Sequence, residues 1–125
     1  MATKLYSEAE LDQLRRYPDA IPADELIRFF TLMPGDVAFV NGHRGETSRI
    51  GVAVQLCTLP WLGFVPDDVA AAPGAAVQRL CQQLSVPAAA LAGYGVREQT
   101  RTDHLRGVSA FLGWRAGAEG RVQGA

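Results

Sequence analysis

Long apolar runs and a secretion signal are both absent from this sequence. No apolar stretch reaches the roughly 18 residues that a membrane-spanning helix needs, and the opening MATKLYSEAELDQL contains no apolar core of a signal peptide. We therefore expect a soluble, cytoplasmic protein without a membrane partner.

Cysteine and histidine are scarce, with two residues of each. Cys57 and Cys81 lie far apart outside any CxxC motif, and His43 and His104 have no HxxxH neighbour. The cysteines are best interpreted as small buried apolar residues, and no metal or cofactor is expected. The sequence also lacks a carboxylate pair, a nucleophile elbow and a phosphate-binding loop, so an enzyme is the weakest functional class.

Strand signals are nearly missing as well, whereas capping residues, prolines and apolar residues at helical spacing recur. The 125 residues are 48% hydrophobic, enough for one domain with a real core. The sequence predicts an all-α fold, a compact bundle of about six helices with a helix-turn-helix-like C-terminal part. The domain is expected to cover residues 1–115, followed by a disordered Gly/Ala-rich tail over residues 116–125.

Caps and breakers divide the chain into predicted helices. The predicted helices are a first from Ser7 to Pro18, a second over 22–33, a third over 34–40, a fourth over 48–63 that Thr47 or Ser48 caps, a fifth over 73–84, a short one over 86–95, and a last over 96–112 with Gly113 as its cap. Met33 is expected on the buried side of the second helix, and Ser85 is expected to cap the short helix over 86–95.

The fourth predicted helix, SRIGVAVQLCTLPWLG, is apolar almost all round, which indicates a helix buried at the centre of the bundle. One narrow row breaks this pattern, formed by Ser48, Gly51, Gln55 and Thr58. Small and hydrogen-bonding residues in a row favour close contact with another helix over a ligand groove.

Net charge gives little indication of a polyanionic partner, because the whole chain carries only -1. The charge is nevertheless uneven, at -3 over residues 1–40 and +2 over residues 41–125. This asymmetry permits a basic face on the later part of the chain without proving one.

The last predicted helix carries Arg97, Arg101 and His104 within about 40° of one another on a helical projection. Val108, Phe111 and Leu112 continue the same side, while Thr102, Arg106 and Ser109 form an opposite, solvated face. One side is thus basic in its first half and apolar in its second. Burying unpaired charges is costly, so the basic half should either project past the core or meet carboxylates from another helix.

These two alternatives point to different functions. A projecting helix start after a glycine turn, here Gly93 and Gly95, is typical of a recognition helix that contacts bases with Arg, Gln and Thr. Under the other alternative, the arginines pair with acids of the first helices, namely Glu8, Glu10, Asp12, Asp24 and Glu25.

Five ordered segments carry a resemblance to a known family. They are FFTL (29–32), RIGVAVQLCTLPWLG (49–63), VPAAALAGY (86–94), REQTR...HL (97–105) and FLGWR (111–115). From about Ser7 to Arg115 the chain resembles the N-terminal domain of the class II replicative transposases, the Tn-three family. In that family this helical region helps to recognise the terminal inverted repeats of the transposon. Cutting and strand transfer belong to a downstream RNase-H-like region with three acidic residues and magnesium.

The resemblance implies a DNA-binding module that lacks the catalytic domain and catalyses nothing alone. Its expected partner is double-stranded DNA with transposon terminal inverted repeats, so the protein would be nucleoid-associated when bound, and other transposase subunits are possible partners. Carried over by position, the candidate DNA-binding residues are Arg44, Arg49, Arg97, Gln99, Thr100, Arg101 and His104.

Several alternatives stay open at this point. Arg49 could cover the exposed end of its helix or reach a phosphate, and Tyr94 is more often a core aromatic than a base-stacking platform. The chain could also be a protein-interaction module derived from a transposase, with Trp61, Phe64 and Trp114 as exposed apolar residues. The chain could be a fragment, a remnant or a free-standing protein.

Overall fold

A computed structural model of the chain describes residues 16–95 and 97–124, with side chains as far as residue 113. Its elements are α1 (Ala23–Phe29), α2 (Pro34–Asn41), α3 (Glu46–Leu62), a 3-10 helix (Val69–Ala71), α4 (Gly74–Leu84), a second 3-10 helix (Ala88–Gly93) and α5 (Glu98–Gly124). Since the described residues contain helices and no strand, the predicted all-α bundle is confirmed. The predicted first helix, Ser7 to Pro18, lies almost wholly outside the described residues.

Helix α3 is the centre of the bundle, as its apolar sequence predicts. Residues 50–58 are all buried, and each of the other six helical elements contacts α3. The start of this helix differs from the prediction. It begins at Glu46 after Gly45, whose φ of 81° is a conformation that favours glycine, so neither Thr47 nor Ser48 is the cap.

Helix α1 is shorter than predicted, and Met33 is exposed rather than buried. The helix ends at Phe29; Phe30 then enters the core, and Met33 is 61% exposed. The reason lies in α4, where Gln83 donates to the Phe30 carbonyl (2.8 Å) and accepts from the Leu32 N–H (2.8 Å). These bonds hold residues 30–32 in a non-helical course that a continued helix would not allow.

Trp61 packs against the core, so its predicted exposure is wrong. Its indole is half-buried beside the ring of Phe30 at 5.6 Å, and its Nε1–H donates to Glu25 Oε1 at 2.7 Å. Phe64 is also half-buried. The side chain of Trp114 lies outside the described part of the chain.

The connection into α5 departs from the prediction at two residues. Ser85 does not cap the short helix; with φ of 56° it ends α4, and the short element is a 3-10 helix that begins after Pro87. Gly95 has φ of 82° and makes the expected sharp turn before α5. The backbone of α5 is helical beyond Gly113, where its end was predicted. The domain division at residue 115 stays a prediction.

No helix in the described ranges is both long and apolar enough to traverse a lipid bilayer.

Candidate nucleic-acid interface

The predicted site residues belong to the turn after α2, the start of α3 and the first half of α5. The turn after α2 lies against the first half of α5, since the rings of His43 and His104 are 5.1 Å apart. The segment before α5 joins them, because the ring of Tyr94 stacks on His104 at 5.7 Å and 12°. This segment also contacts α3, where Gly51 lies against the Tyr94 ring. We call these segments together the arginine end, because they carry Arg44, Arg49, Arg97 and Arg101.

A chain of hydrogen bonds holds α5 on α3. Gln55 Nε2 donates to the Tyr94 hydroxyl (2.8 Å) and to the Arg101 carbonyl oxygen (3.3 Å), and the Tyr94 hydroxyl lies 2.7 Å from His104 Nδ1. Gly51 makes room for this arrangement, because a Cβ at this position would overlap the Tyr94 ring. The row of small and polar residues on α3 therefore makes close contact, as the sequence predicts. Tyr94 is the expected core aromatic, and its buried hydroxyl bonds to protein groups.

Arg101 is paired, as in the second of the two alternatives for the basic half of α5. Its side chain is 20% exposed, its Nη1 donates to the Asp67 carbonyl oxygen at 2.6 Å, and its Nη2 is 3.9 Å from the Asp67 carboxylate. Glu98, one turn earlier in α5, is 3.7 Å away. Arg101 thus meets carboxylates instead of projecting, whereas Arg97 is exposed. The acids around Arg101 are in a loop and in α5 itself, not in the predicted first helices.

The bond from Arg101 to the Asp67 backbone carries more free energy than the two ion pairs. Asp67 and Glu98 are 92% and 85% exposed, and ion pairs with such exposed acids contribute about 0–1 kcal/mol. A hydrogen bond from a charged donor to a carbonyl contributes about 1.5–3 kcal/mol. Arg101 therefore fixes the 67–68 loop to the start of α5.

The other candidate residues of the last helix differ in exposure. Arg97 precedes the first turn and is exposed, with its carbonyl accepting from the Arg101 N–H. Gln99 is exposed and donates to Asp103 at 2.9 Å. Thr100 and His104 are half-buried. Of these four, only Arg97 and Gln99 present most of their side chain to solvent.

The two candidates outside the last helix also differ. Arg44 is exposed in the turn after α2. Arg49 is half-buried, and its Nε donates to the Gly45 carbonyl oxygen at 3.3 Å. Arg49 thus covers the exposed start of α3, one of the two roles expected for it.

The exposure of α5 follows the helical projection drawn from the sequence. Val108 is fully buried, with Phe111 and Leu112 partly buried around it, and Phe111 stacks on Phe39 of α2 at 4.4 Å. The exposed side carries Thr102, Arg106 and Ser109. Docking of the second half therefore orients the whole helix.

The surroundings of His104 favour the neutral form of its imidazole. Burial lowers its pKa below the usual 6.5, the neighbouring His43 lowers it further, and Asp103 acts in the opposite direction. Burial also raises the pKa of the Tyr94 hydroxyl, which Arg101 partly offsets. Among the described residues, no group of three or more His, Cys, Asp or Glu side chains is arranged to hold a metal ion.

Sequence reasoning missed Asp67 as the partner of Arg101. The two residues are 34 positions apart, and Asp67 lies in a loop without periodicity. Gln55 did carry a signal, because it is a polar residue in an otherwise apolar helix.

The amino-acid sequence of the chain matches a known protein family. A family model described as "Domain of unknown function (DUF4158)" matches residues 5–123. The chain is 36% identical over 112 residues to the transposase for transposon Tn3926 of Escherichia coli, and 34% identical over 113 residues to that for transposon Tn21 of Escherichia coli. It is 29% identical over 108 residues to the transposase for transposon Tn501 of Pseudomonas aeruginosa.

These matches cover 89%, 89% and 86% of this chain and 11% of each transposase, so the chain spans about a tenth of the length of the curated relatives it matches. No solved structure matches the chain.

Proposed function

The chain belongs to the family described as "Domain of unknown function (DUF4158)", and we propose that it is a DNA-binding module that recognises the terminal inverted repeats of a transposon. The proposal transfers only this recognition step from the transposases that the chain resembles. It assigns no catalytic role to these residues, and it implies association with the bacterial nucleoid when DNA is bound.

The observation that carries the proposal is the contact between two arginine-bearing segments, the turn after α2 and the first half of α5, through the rings of His43 and His104. Arg44 is in the turn after α2, and Arg97 directly precedes α5. Both are exposed and free to form charge-assisted bonds with phosphates. Gln99, in the first turn of α5, is also exposed and is suited to an adenine edge.

The remaining candidate residues divide by what their side chains already bind. Arg101 and Arg49 have their guanidinium groups directed to backbone carbonyls, and His104 is bonded to Tyr94. In the proposal these three residues hold the surface in shape, while Arg44, Arg97 and Gln99 contact DNA, and Thr100 contributes only at the edge of the surface.

The test is a fluorescence-anisotropy titration with two labelled duplexes, one with the terminal inverted repeat of transposon Tn21 and one with the same bases scrambled. We expect tighter binding to the repeat and affinity that falls steeply with salt. Arg44→Ala and Arg97→Ala should each reduce the slope of log K against log salt by about 0.9, the value for one lost phosphate contact.

Arg28→Ala is the matched control for these two variants. Arg28 is an exposed arginine of α1 that lies near Leu56 and Pro60, toward the C-terminal end of α3. Arg28 thus belongs to a different helix from Arg44 and Arg97, whose segments meet through His43 and His104. Equal, undetectable binding of both duplexes at low salt would refute the proposal, and so would equal losses in all three variants.

A second candidate function is a protein-interaction module, which two exposed apolar side chains favour. Ile27 and Met33 are 60% and 61% exposed, on and just after α1. If this surface joins subunits, light scattering should detect an oligomer whose population grows with concentration and is abolished by Ile27→Asn. A strict monomer at every concentration would exclude self-association through this surface.

A further inference from the structure

The hydrogen bonds among Gln55, Tyr94 and His104 are all satisfied in one proton order. Gln55 Nε2 faces the Arg101 carbonyl oxygen, which can only accept, so the amide nitrogen is placed on this side. The same nitrogen donates to the Tyr94 hydroxyl oxygen. The buried hydroxyl hydrogen then has His104 Nδ1, at 2.7 Å, as its acceptor. This order requires a neutral His104 with its proton on Nε2.

The surroundings of His104 offer little compensation for a positive charge. His43, from the turn after α2, presents its ring at 5.1 Å; its Nδ1 lies 3.1 Å from the carbonyl oxygens of both Phe39 and Val40, so that nitrogen carries a proton. Two neutral groups also face His104, Tyr94 from the segment before α5 and Gln55 from α3.

The charged neighbours of His104 belong to α5 itself. Asp103 is exposed and accepts from Gln99, which leaves its charge largely in solvent. Arg101 directs its guanidinium to Asp67, away from the imidazole, but its positive charge is on the same turn of the helix. A positive charge on His104 would therefore lie near His43 and Arg101, and the solvated carboxylate of Asp103 would be the group that offsets it.

We propose that Gln55, Tyr94 and His104 form a proton-sensitive latch that holds the first half of α5 on α3 while His104 is neutral and loosens when His104 takes up a proton. Protonated His104 would present an N–H to Tyr94, so the hydroxyl hydrogen would lose its acceptor in a buried place. The extension of this inference to DNA rests on the proposed function. The latch then also sets the orientation of Arg97 and Gln99 toward DNA, and DNA binding should weaken as the latch loosens.

The expected direction of the pH effect follows from the lowered pKa of folded His104. Its contribution to stability is fully present above the ordinary value of 6.5 and is lost as the pH falls through the lowered pKa of the folded chain. The loss begins below the ordinary value of 6.5, where the carboxylates of the protein are still ionised.

The primary test is NMR of the isotope-labelled chain, which needs no substitution. At about pH 7 the nitrogen shifts of His104 should show the Nε2–H tautomer, and its titration midpoint should lie below 6.5. In the His43→Gln variant the midpoint should rise, because a like charge is removed. A midpoint of 6.5 or higher in the native chain, or the opposite tautomer, would overturn the latch.

The second test compares the native chain with His104→Gln. The glutamine carbonyl can still accept from Tyr94 but cannot titrate. The native chain should lose more unfolding free energy than the variant between about pH 7.5 and 5.5, and the same difference should appear in affinity for the Tn21 repeat duplex. An identical pH dependence of stability in the two chains would overturn the latch.

Failure of the latch and failure of the proposed function are distinguishable. If neither chain binds the duplex at either pH while NMR and stability behave as described, the DNA-binding proposal falls and the latch stands. If both chains bind the repeat with the same pH dependence and the same stability profile, the latch falls and DNA binding stands.

Discussion

Among the helical glycines whose surroundings are described, Gly51 is the one whose replacement by alanine should destabilise the protein most. An added Cβ would overlap Cγ, Cδ1 and Cε1 of the Tyr94 ring. The ring cannot move aside cheaply, because it is 7% exposed and its hydroxyl is bonded to Gln55 and His104.

The magnitude follows from three contributions. Overpacking a core costs about 1–3 kcal/mol, and breaking the hydrogen bonds of a displaced, buried hydroxyl costs about 1–3 kcal/mol. Replacing glycine by alanine inside a helix gains about 0.8–1 kcal/mol. The net loss should be about 1–5 kcal/mol, which for a domain of this size lowers Tm by roughly 3–20 °C.

Gly107→Ala is the matched control for this substitution. Gly107 is in α5, is exposed, and has no atom within 4 Å of the position of an added Cβ. It should gain about 0.5–1 kcal/mol from helix propensity alone. Urea unfolding of the native chain and both variants measures the difference.

A double substitution locates the cause of the destabilisation. In a Tyr94→Leu background the ring is gone, so Gly51→Ala should cost markedly less than in the native chain. If Gly51→Ala and Gly107→Ala change the free energy of unfolding in the same direction by similar amounts, the close packing of α3 on Tyr94 is refuted.

Two further predictions concern Gln83 and Tyr17. Gln83→Ala should lower the free energy of unfolding in urea by about 1–3 kcal/mol, because two backbone groups of residues 30–32 lose their partner. The control is Gln82→Ala at the exposed neighbouring position, which should change that free energy by less than about 0.5 kcal/mol. Equal effects of the two substitutions would contradict this role of Gln83. Burial raises the pKa of Tyr17 from 10.0 to about 12, so its stabilising contribution, about 2–3 kcal/mol, is fully present below pH 10 and is lost as the pH rises through about 12. Tyr17→Phe should flatten this alkaline loss in unfolding titrations, and an unchanged profile would show that the hydroxyl bonded to Thr58 is not buried.

The central helix and the orientation of α5 were predictable from the sequence because both depend on local periodicity. An apolar run without a polar face has to be buried, and Val108 and Phe111 determine which side of α5 faces inward. The row around Gly51 and Gln55 likewise predicted a close contact, although not its partner, since Tyr94 is some forty residues away.

The errors arose where a distant residue decides the local conformation. Met33 was expected to be buried because its spacing continues that of Phe29 and Phe30, but Gln83 ends the helix from the other side of the fold. Ser85 looks like a helix cap in sequence, yet it adopts the left-handed conformation that glycine usually supplies. The pairing of Arg101 with Asp67 has no local signal, so the choice between a projecting and a paired arginine required the three-dimensional structure.

The burial of residues 50–58 of α3 has a consequence for how this protein can change. Over that stretch no position can accept a charged or larger residue without disturbing several neighbours at once. Under the proposed function, variation that alters DNA recognition is therefore confined to the turns and to the outward side of α5, where Arg44, Arg97 and Arg106 can be exchanged one at a time. Amide protons in the middle of α3 should accordingly be the last in the molecule to exchange with deuterium.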